Sequence, residues 1–262
     1  MKNRTILTIL LIISSFTAPI LGSNTTNLST DSAQIFINTA NNAYQNKDFQ
    51  GAIYNYLQLC ESNYESASLF YNLGNAYYQT GDLANAILWY ERALRLAPNN
   101  ADIKHNIAFV NQKLTDKIDI LPEIFISRWW KAMASLFSGK TWTILSILFN
   151  ILFFGALLLL FISRRSGMRN LATIIGCITL PLLILSIIFA HHQTYHYKNN
   201  PEAIIMATVV NGKSTPEENG TDLFIIHEGL KVKITSEMNE WYEIEIPNGE
   251  KGWIREENIE II

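Results

Sequence analysis

Charged residues are scarce in this chain of 262 residues, since Asp, Glu, Lys and Arg make up only 16% of it. Soluble domains usually carry roughly 25%. Apolar residues reach 48%. This composition excludes an intrinsically disordered chain and disfavours an ordinary soluble enzyme. We therefore expect a multidomain membrane protein with polar modules attached.

Cysteine is rarer still, with only Cys60 and Cys177 in the chain. Two cysteines cannot build a disulfide framework. We predict no bond between them, because Cys60 lies in a predicted exported helix and Cys177 in a predicted membrane helix.

Sequence motifs of catalysis are also lacking. The chain has no nucleophile elbow, no zinc-protease motif and no paired carboxylates in a recognisable spacing. Gly139-Lys140-Thr141 is similar to the end of a phosphate-binding loop, but Ala134 stands where that loop needs glycine. We predict neither an enzyme nor a cofactor.

Three histidines, His191, His192 and His196, follow the second long apolar run. They could bind a metal, but no cysteine or carboxylate lies nearby to complete a site. A polar cap at a membrane interface is the favoured interpretation, and no metal is predicted.

Basic charge is scarce in the C-terminal part, where residues 201–262 carry thirteen acidic and five basic side chains. Nucleic acid is bound through Lys and Arg. We therefore predict no nucleic-acid partner.

An export signal opens the chain. Lys2 and Arg4 precede the apolar run 6–13, and small residues follow near Gly22 and Ser23. This order is typical of a secretory signal peptide over residues 1–23. An uncleaved signal anchor is the alternative, and both place the next module outside the cytoplasm.

Two uncharged apolar runs predict a membrane hairpin. Residues 141–163 and 171–190 each reach the ~20 residues that a helix needs to cross a bilayer. The loop between them, residues 164–170, holds three arginines, which favours a cytoplasmic loop. Both flanking modules then lie outside the cytoplasm.

Residues 121–140, just before the first predicted span, carry apolar side chains at helical spacing, Trp129 and Trp130 among them. Two interpretations stay open. The segment is either an amphipathic helix on the membrane surface, or a linker that packs on the spans.

Residues 31–117 contain an internal repeat. At an offset of 34 residues, Asn41 matches Asn75, Tyr44 matches Tyr78, and Tyr56 matches Tyr90. The clearest copy, residues 67–100, resembles the tetratricopeptide repeat, with Gly74 where two helices cross. The copy at 33–66 is degenerate, and residues 101–114 provide a capping helix.

The resemblance implies a concave groove, lined by the first helix of each repeat, that binds an extended or helical peptide. Asn side chains can hold a peptide backbone, and Tyr supplies rigid contact area; simple packing of the tyrosines is the alternative. The candidate groove residues are Ile37, Asn41, Tyr44, Tyr71, Asn75, Tyr78, His105, Phe109 and Gln112.

In residues 201–262, apolar and polar residues alternate with a period of two, which is typical of half-buried strands. This pattern predicts roughly five strands in a small barrel. Pro247-Asn248-Gly249-Glu250 is a hairpin candidate. The sequence around Gly229 and the Gly252-Trp253-Ile254 motif resemble a bacterial SH3-like domain. Trp241 and Trp253 are candidates for a peptide-binding face, with barrel core as the alternative.

The fold class predicted from these modules combines an all-α tetratricopeptide-repeat domain, a transmembrane α-hairpin and a small all-β SH3-like barrel. Their order is similar to that in the BatE family of the Bacteroides aerotolerance (Bat) operon. This resemblance implies a bacterial inner-membrane protein with both soluble domains in the periplasm. It also implies partners among membrane proteins with von Willebrand A domains and a MoxR-type ATPase, with a link to stress tolerance.

Two functions follow as expectations. The first is a non-enzymatic adaptor, embedded in the lipid bilayer, that binds other membrane proteins. The alternative is an envelope tether or sensor whose SH3-like domain binds peptidoglycan.

Overall fold

The computed structural model describes residues 30–118, 125–199 and 201–262. The predicted signal peptide at 1–23 lies outside the described residues. The helices are α1 (Thr30–Gln45), α2 (Phe49–Glu61), α3 (Ala67–Thr80), α4 (Leu83–Leu96), α5 (Ala101–Asn111), α6 (Phe125–Ala134), α7 (Gly139–Ile162) and α8 (Ser166–Asn199). The strands are β1 (Glu202–Ile205), β2 (Val209–Lys213), β3 (Asp222–His227), β4 (Lys231–Met238), β5 (Trp241–Glu245), β6 (Lys251–Arg255) and β7 (Ile259–Ile261).

Helices α1 to α4 form two helix–turn–helix pairs, and α5 adds a further helix. The turn in the second pair depends on Gly81, whose φ of 86° suits glycine. The next residue, Asp82, caps α4 by accepting a hydrogen bond from the backbone N–H of Asn85 at 3.0 Å. The equivalent residue of the first pair, Asp48, caps α2 in the same way through Gly51. The predicted 34-residue repeat is therefore seen in the capping as well as in the helices.

The two helices of the second pair cross closely at Gly74. A Cβ atom added there would lie 2.6 Å from Cδ1 of the Tyr90 ring. At the equivalent place in the first pair, Ala40 is fully buried. Small side chains at both crossings let α1 approach α2 and α3 approach α4.

The C-terminal part is an antiparallel sheet of seven strands in the order β3-β2-β6-β5-β4-β1-β7. The expectation of roughly five strands was too low, because β1 and β7 pair with each other and lie far apart in the sequence. The all-β class and the consistency with an SH3-like domain are confirmed.

The apolar residues of the alternating pattern are those that form the core of this domain. Leu230, Val232 and Ile234 of one segment are buried, as are Tyr242 and Ile244 of the next strand. The hairpin predicted at 247–250 joins β5 to β6, and its glycine, Gly249, has a φ of 90°. The turn before β4 uses Gly229, with a φ of 87°.

Helices α7 and α8 are long and apolar enough to cross a membrane. They pack along each other as an antiparallel pair, and only residues 163–165 separate them. Helix α8 continues beyond its apolar part to Asn199 and is followed almost at once by β1. The hairpin and the β domain are therefore joined without a long linker.

Helix α6 lies against the end of this hairpin. The Trp130 ring centroid is 5.0 Å from that of Phe189, and Trp142 donates its indole N–H to the carbonyl of Ala134 at 2.8 Å. Phe125 and Trp129, on another face of α6, stay exposed. One side of the segment thus packs on the helices, as one interpretation expected, and a second apolar side remains available for a membrane surface.

The helical repeats and the β domain share packing. Ile204 of β1 is fully buried within the core of the repeats. A Cβ atom added to Gly229 would lie 2.5 Å from Cδ2 of Leu114, which follows α5. The two modules are therefore docked against each other.

Candidate peptide-binding groove

Two adjacent cavities lie along the first helices of the repeats. One has a volume of about 160 Å³ and the other about 260 Å³. They share Tyr44 and Asn75, so they form one continuous groove, which we call the repeat groove. Its other lining residues are Asn41, Gln45, Tyr56, Asn72, Tyr78, Gln79, Tyr90, His105, Asn106, Phe109 and Val110.

The floor of the groove is a repeated tyrosine–asparagine hydrogen bond. Tyr56 donates its hydroxyl to Oδ1 of Asn41 at 2.6 Å, and Tyr90 donates to Oδ1 of Asn75 at 2.7 Å. Both tyrosines are buried. The two bonds are related by the same 34-residue offset, so each repeat builds the same polar element.

A third polar residue, Asn106 of α5, joins the second bond. Its Nδ2 donates to Oδ1 of Asn75 at 3.0 Å and to the hydroxyl of Tyr71 at 3.2 Å. Burial raises the pKa of Tyr90 above its usual value, although the hydrogen bond with Asn106 opposes this. Tyr90 therefore remains a neutral hydrogen-bond donor at physiological pH.

Sequence reasoning missed Asn106 and its repeat equivalent Asn72, which lies 34 residues earlier and lines the first cavity. Burial raises the pKa of Tyr56 as well, while a hydrogen bond with Asn72 lowers it. The offset that matched Asn41 with Asn75 also matches Asn72 with Asn106. The 34-residue offset could therefore have identified Asn72 and Asn106 from the sequence.

The tyrosine–asparagine hydrogen bonds use the side-chain oxygens of Asn41 and Asn75, but not their amide nitrogens. With both side-chain oxygens accepting from tyrosine, the Nδ2 groups of Asn41 and Asn75 have no partner among the described residues. An amide nitrogen can donate to a peptide carbonyl. Two such donors at equivalent positions suit a peptide backbone that runs along the groove.

The rim of the groove at α5 is aromatic and cationic. The rings of Tyr78 and Phe109 lie 5.8 Å apart, and Lys113 donates to the hydroxyl of Tyr78. The Lys113 Nζ lies 4.8 Å from the Tyr78 ring centroid and 4.9 Å from that of Phe109. Phe109 keeps 44% of its surface exposed. This rim offers apolar contact area to a ligand.

Six of the nine predicted groove residues line the cavities, namely Asn41, Tyr44, Asn75, Tyr78, His105 and Phe109. The other three lie elsewhere. Ile37 packs half-buried against the repeat core. Tyr71 packs on Tyr90 with ring centroids 5.8 Å apart, and Gln112 is exposed at the end of α5.

The predicted pair of tryptophans in the β domain lies on the outer side of the sheet. Trp241 is opposite Arg255 and Trp253 is opposite Glu243, so the two indoles are diagonal neighbours on one face. The strands bury Tyr242 and Ile254 instead. The guanidinium of Arg255 lies 5.4 Å from the Trp241 ring centroid. The barrel-core alternative for these tryptophans was therefore wrong.

A partly buried ion pair joins the two modules. Nζ of Lys231 on β4 lies 3.0 Å from Oε2 of Glu91 on α4 and 2.8 Å from Oε2 of Glu202. Burial opposes the charge of Lys231, but the two carboxylates outweigh it and raise the pKa of the amine above its usual value. No sequence motif indicated this pair.

Further polar contacts surround this ion pair. Arg92 donates to Glu260 at 2.8 Å and to the backbone oxygen of Ile261 at 2.7 Å. Asp116 lies 2.8 Å from Nδ1 of His227 and also accepts the backbone N–H of that residue at 2.6 Å. These residues lie outside the lining of the repeat groove, so docking leaves the groove open.

The remaining titratable candidates do not form a second site in the described ranges. His192 packs edge-on against Trp130, with ring centroids 5.9 Å apart. The side chain of His196 lies outside the described residues, and among the side chains that are described no group of three His, Cys, Asp or Glu is arranged to hold a metal. Burial raises the pKa of the Cys60 thiol to about 11, which keeps it protonated at neutral pH.

Comparison with known proteins supports the repeat. The family model described as tetratricopeptide repeat matches residues 37–101. No curated protein matches the chain. The prediction of a tetratricopeptide-repeat module is thus confirmed, and its matched residues contain the first cavity and most of the second.

Proposed function

We propose that the chain is a non-enzymatic adaptor anchored in a bacterial inner membrane, which presents the repeat groove to a protein partner in the periplasm. The observation that carries the proposal is the open groove, with an aromatic rim and two amide donors on its floor that have no partner within the described part of the chain. Such a surface binds a peptide segment and has no group placed to act on one.

The proposed membrane anchor is the pair α7 and α8. Their apolar lengths fit a bilayer, and the arginines at 164, 165 and 169 favour a cytoplasmic position for the short connection. The repeats and the β domain then lie together on the other side of the membrane. The exposed apolar side of α6 would rest on the bilayer surface.

For the partner we propose a membrane protein of the Bat type, with a von Willebrand A domain. The support is the order of modules, which resembles the BatE family, together with the repeat match. The adaptor would contribute to an envelope complex associated with aerotolerance or stress.

Replacing His105 and Phe109 together with alanine is expected to weaken partner binding at least tenfold. Both side chains are exposed on the groove rim, and aromatic anchors contribute much of the energy of such interfaces. Crosslinking in native membranes, followed by mass spectrometry of the captured proteins, measures the loss.

The matched control is Lys104→Ala with Ala108→Ser, two exposed positions on the same helix outside the groove lining. Asn41 and Asn75 are poorer targets, because each accepts a hydrogen bond from a buried tyrosine and its loss would destabilise the repeats. Equal capture by the rim variant and its control would count against the groove. If the captured proteins lack von Willebrand A domains, the proposed Bat-type partner is wrong, but binding of a partner in the groove is not contradicted.

A second candidate function is an envelope tether that binds peptidoglycan. The observation that favours it is the pair Trp241 and Trp253 on the outer face of the β domain. Full-length protein in detergent should then sediment with purified sacculi. A variant with both tryptophans replaced by alanine should stay in the supernatant. If wild-type protein does not sediment, the tether is excluded.

A further inference from the structure

Helix α7 carries an amide at its centre. Asn150 is the twelfth of the 24 residues in this helix, and no charged residue lies between Thr141 and Ser163. At 1.5 Å per residue, Asn150 is about 17 Å from either end of the helix. If α7 crosses a bilayer, as the proposed function holds, this side chain lies near the bilayer midplane.

Among the described residues, Asn150 has no hydrogen-bond partner, although neighbouring polar side chains do. Thr143 donates to the carbonyl of Gly139 at 2.9 Å, Ser146 to that of Thr143 at 2.7 Å, and Ser186 to that of Leu183 at 2.8 Å. No described side-chain nitrogen or oxygen is both buried and unpaired. The polar atoms of Asn150 therefore reach the outer surface of the hairpin.

An unpaired amide is unfavourable in hydrocarbon, where no water can satisfy it. Helices in membranes satisfy Asn side chains by hydrogen bonds to a neighbouring helix. Helix α8 packs along α7, but no side chain that the structure describes in α8 provides such a bond to Asn150. The missing partner must then come from outside this chain's hairpin.

We propose that a second copy of this chain supplies that partner, and that two α7 helices pack in parallel with Asn150 against Asn150. This inference rests on the proposed membrane insertion. Every copy has the same topology, so a twofold axis along the membrane normal places both Asn150 side chains at one depth. An amide carries both donor and acceptor and is complementary to itself.

The face of α7 around Asn150 suits this pairing. Thr143, Ser146 and Asn150 follow the spacing of three and seven residues that lines a helix–helix seam. The smaller hydroxyl side chains at 143 and 146 allow close approach toward the outer end of the helix. The resulting dimer presents two repeat grooves on the same side of the membrane.

The test uses purified full-length protein in vesicles of phosphatidylethanolamine and phosphatidylglycerol, so that no other protein is present. Cys60 and Cys177 are replaced by serine, and Thr143→Cys reports contact along the proposed seam by oxidative disulfide formation. A reporter on the opposite, exposed side of α7, Leu148→Cys, serves as the control. We expect dimers with the first reporter and none above background with the second.

Asn150→Leu should weaken the association about 3- to 20-fold in a titration of the protein-to-lipid ratio, and Asn150→Gln should retain most of it. Equal dimer yield from both reporters, or no effect of Asn150→Leu, would overturn the pairing. Absence of dimers in the vesicles, with Thr143→Cys captured on another protein in native membranes, would show that a different protein supplies the partner. Alkaline carbonate extraction is run in parallel, because release of the protein from vesicles would instead refute the proposed membrane insertion.

Discussion

Lys231→Met is expected to lower the free energy of unfolding by about 3 kcal/mol, near the lower end of the range for breaking a buried ion pair. The Glu91 side chain is only 11% exposed, so without the amine it keeps an uncompensated charge at the junction of the two modules. The Lys231 side chain is 36% exposed, which is why the lower end applies. Thermal unfolding of the full-length protein in detergent should show a fall of about 6–12 °C.

Lys233→Met is the matched control. Lys233 lies on the same strand and the same face, two residues further on, but it is exposed and forms no ion pair within the described residues. It should change the melting temperature little. Adding Glu91→Met to Lys231→Met should recover much of the loss, since a buried ion pair is often replaceable by apolar side chains. If Lys231→Met is as stable as Lys233→Met, the ion pair does not hold the modules together.

The pH dependence of this effect has a definite sign. Because the folded pKa of Lys231 is raised, its contribution is fully present below the unfolded value of about 10.4 and is lost only as pH rises through the higher folded value. The difference between wild type and Lys231→Met should therefore stay constant from pH 7 to pH 10.

Gly74→Val should destabilise the repeats by about 2 kcal/mol through overpacking. The new Cβ would lie 2.6 Å from the buried Tyr90 ring, and displacing that ring also disturbs its hydrogen bond to Asn75. The gain in helix propensity on replacing glycine, up to about 1 kcal/mol, offsets only part of this. Thermal unfolding by circular dichroism measures the change, and hydrogen exchange of α3 and α4 locates it.

Gln79→Val on the same helix controls for the propensity of valine, because Gln79 is exposed. Ala40 shows that the equivalent crossing in the first repeat tolerates one methyl group. If Gly74→Val unfolds at the temperature of the control, then α3 and α4 can separate without loss, and the crossing is less tightly packed than the distances indicate.

Much of the fold could be predicted because its determinants are local. The turn at Gly81 and the caps at Asp48 and Asp82 are set by residues within a few positions. The alternation of the buried Tyr242 and Ile244 with half-buried neighbours is likewise a property of one strand. The two uncharged runs required only a count of residues.

The contacts that could not be predicted join distant parts of the chain. Lys231 and Glu91 are separated by 140 residues, and neither stands in a pattern that marks it as buried. The strand β7 depends on pairing with β1, more than fifty residues earlier. All nine predicted groove residues recur at 34 residues, but only six of them line the groove. The repeat indicates where a residue lies on its helix, whereas the packing around it decides whether it lines the groove, as Tyr71 packed on Tyr90 shows.

The shared packing around Ile204 has a further consequence for a ligand that engages both the repeat groove and the tryptophan face. Two recognition surfaces on a flexible tether accept many spacings between the motifs that they bind. Here the surfaces belong to two modules that pack against each other, and this packing sets the separation between them. A ligand with two motifs would be selected by the length and stiffness of the segment between those motifs, and the protein would act as a molecular ruler.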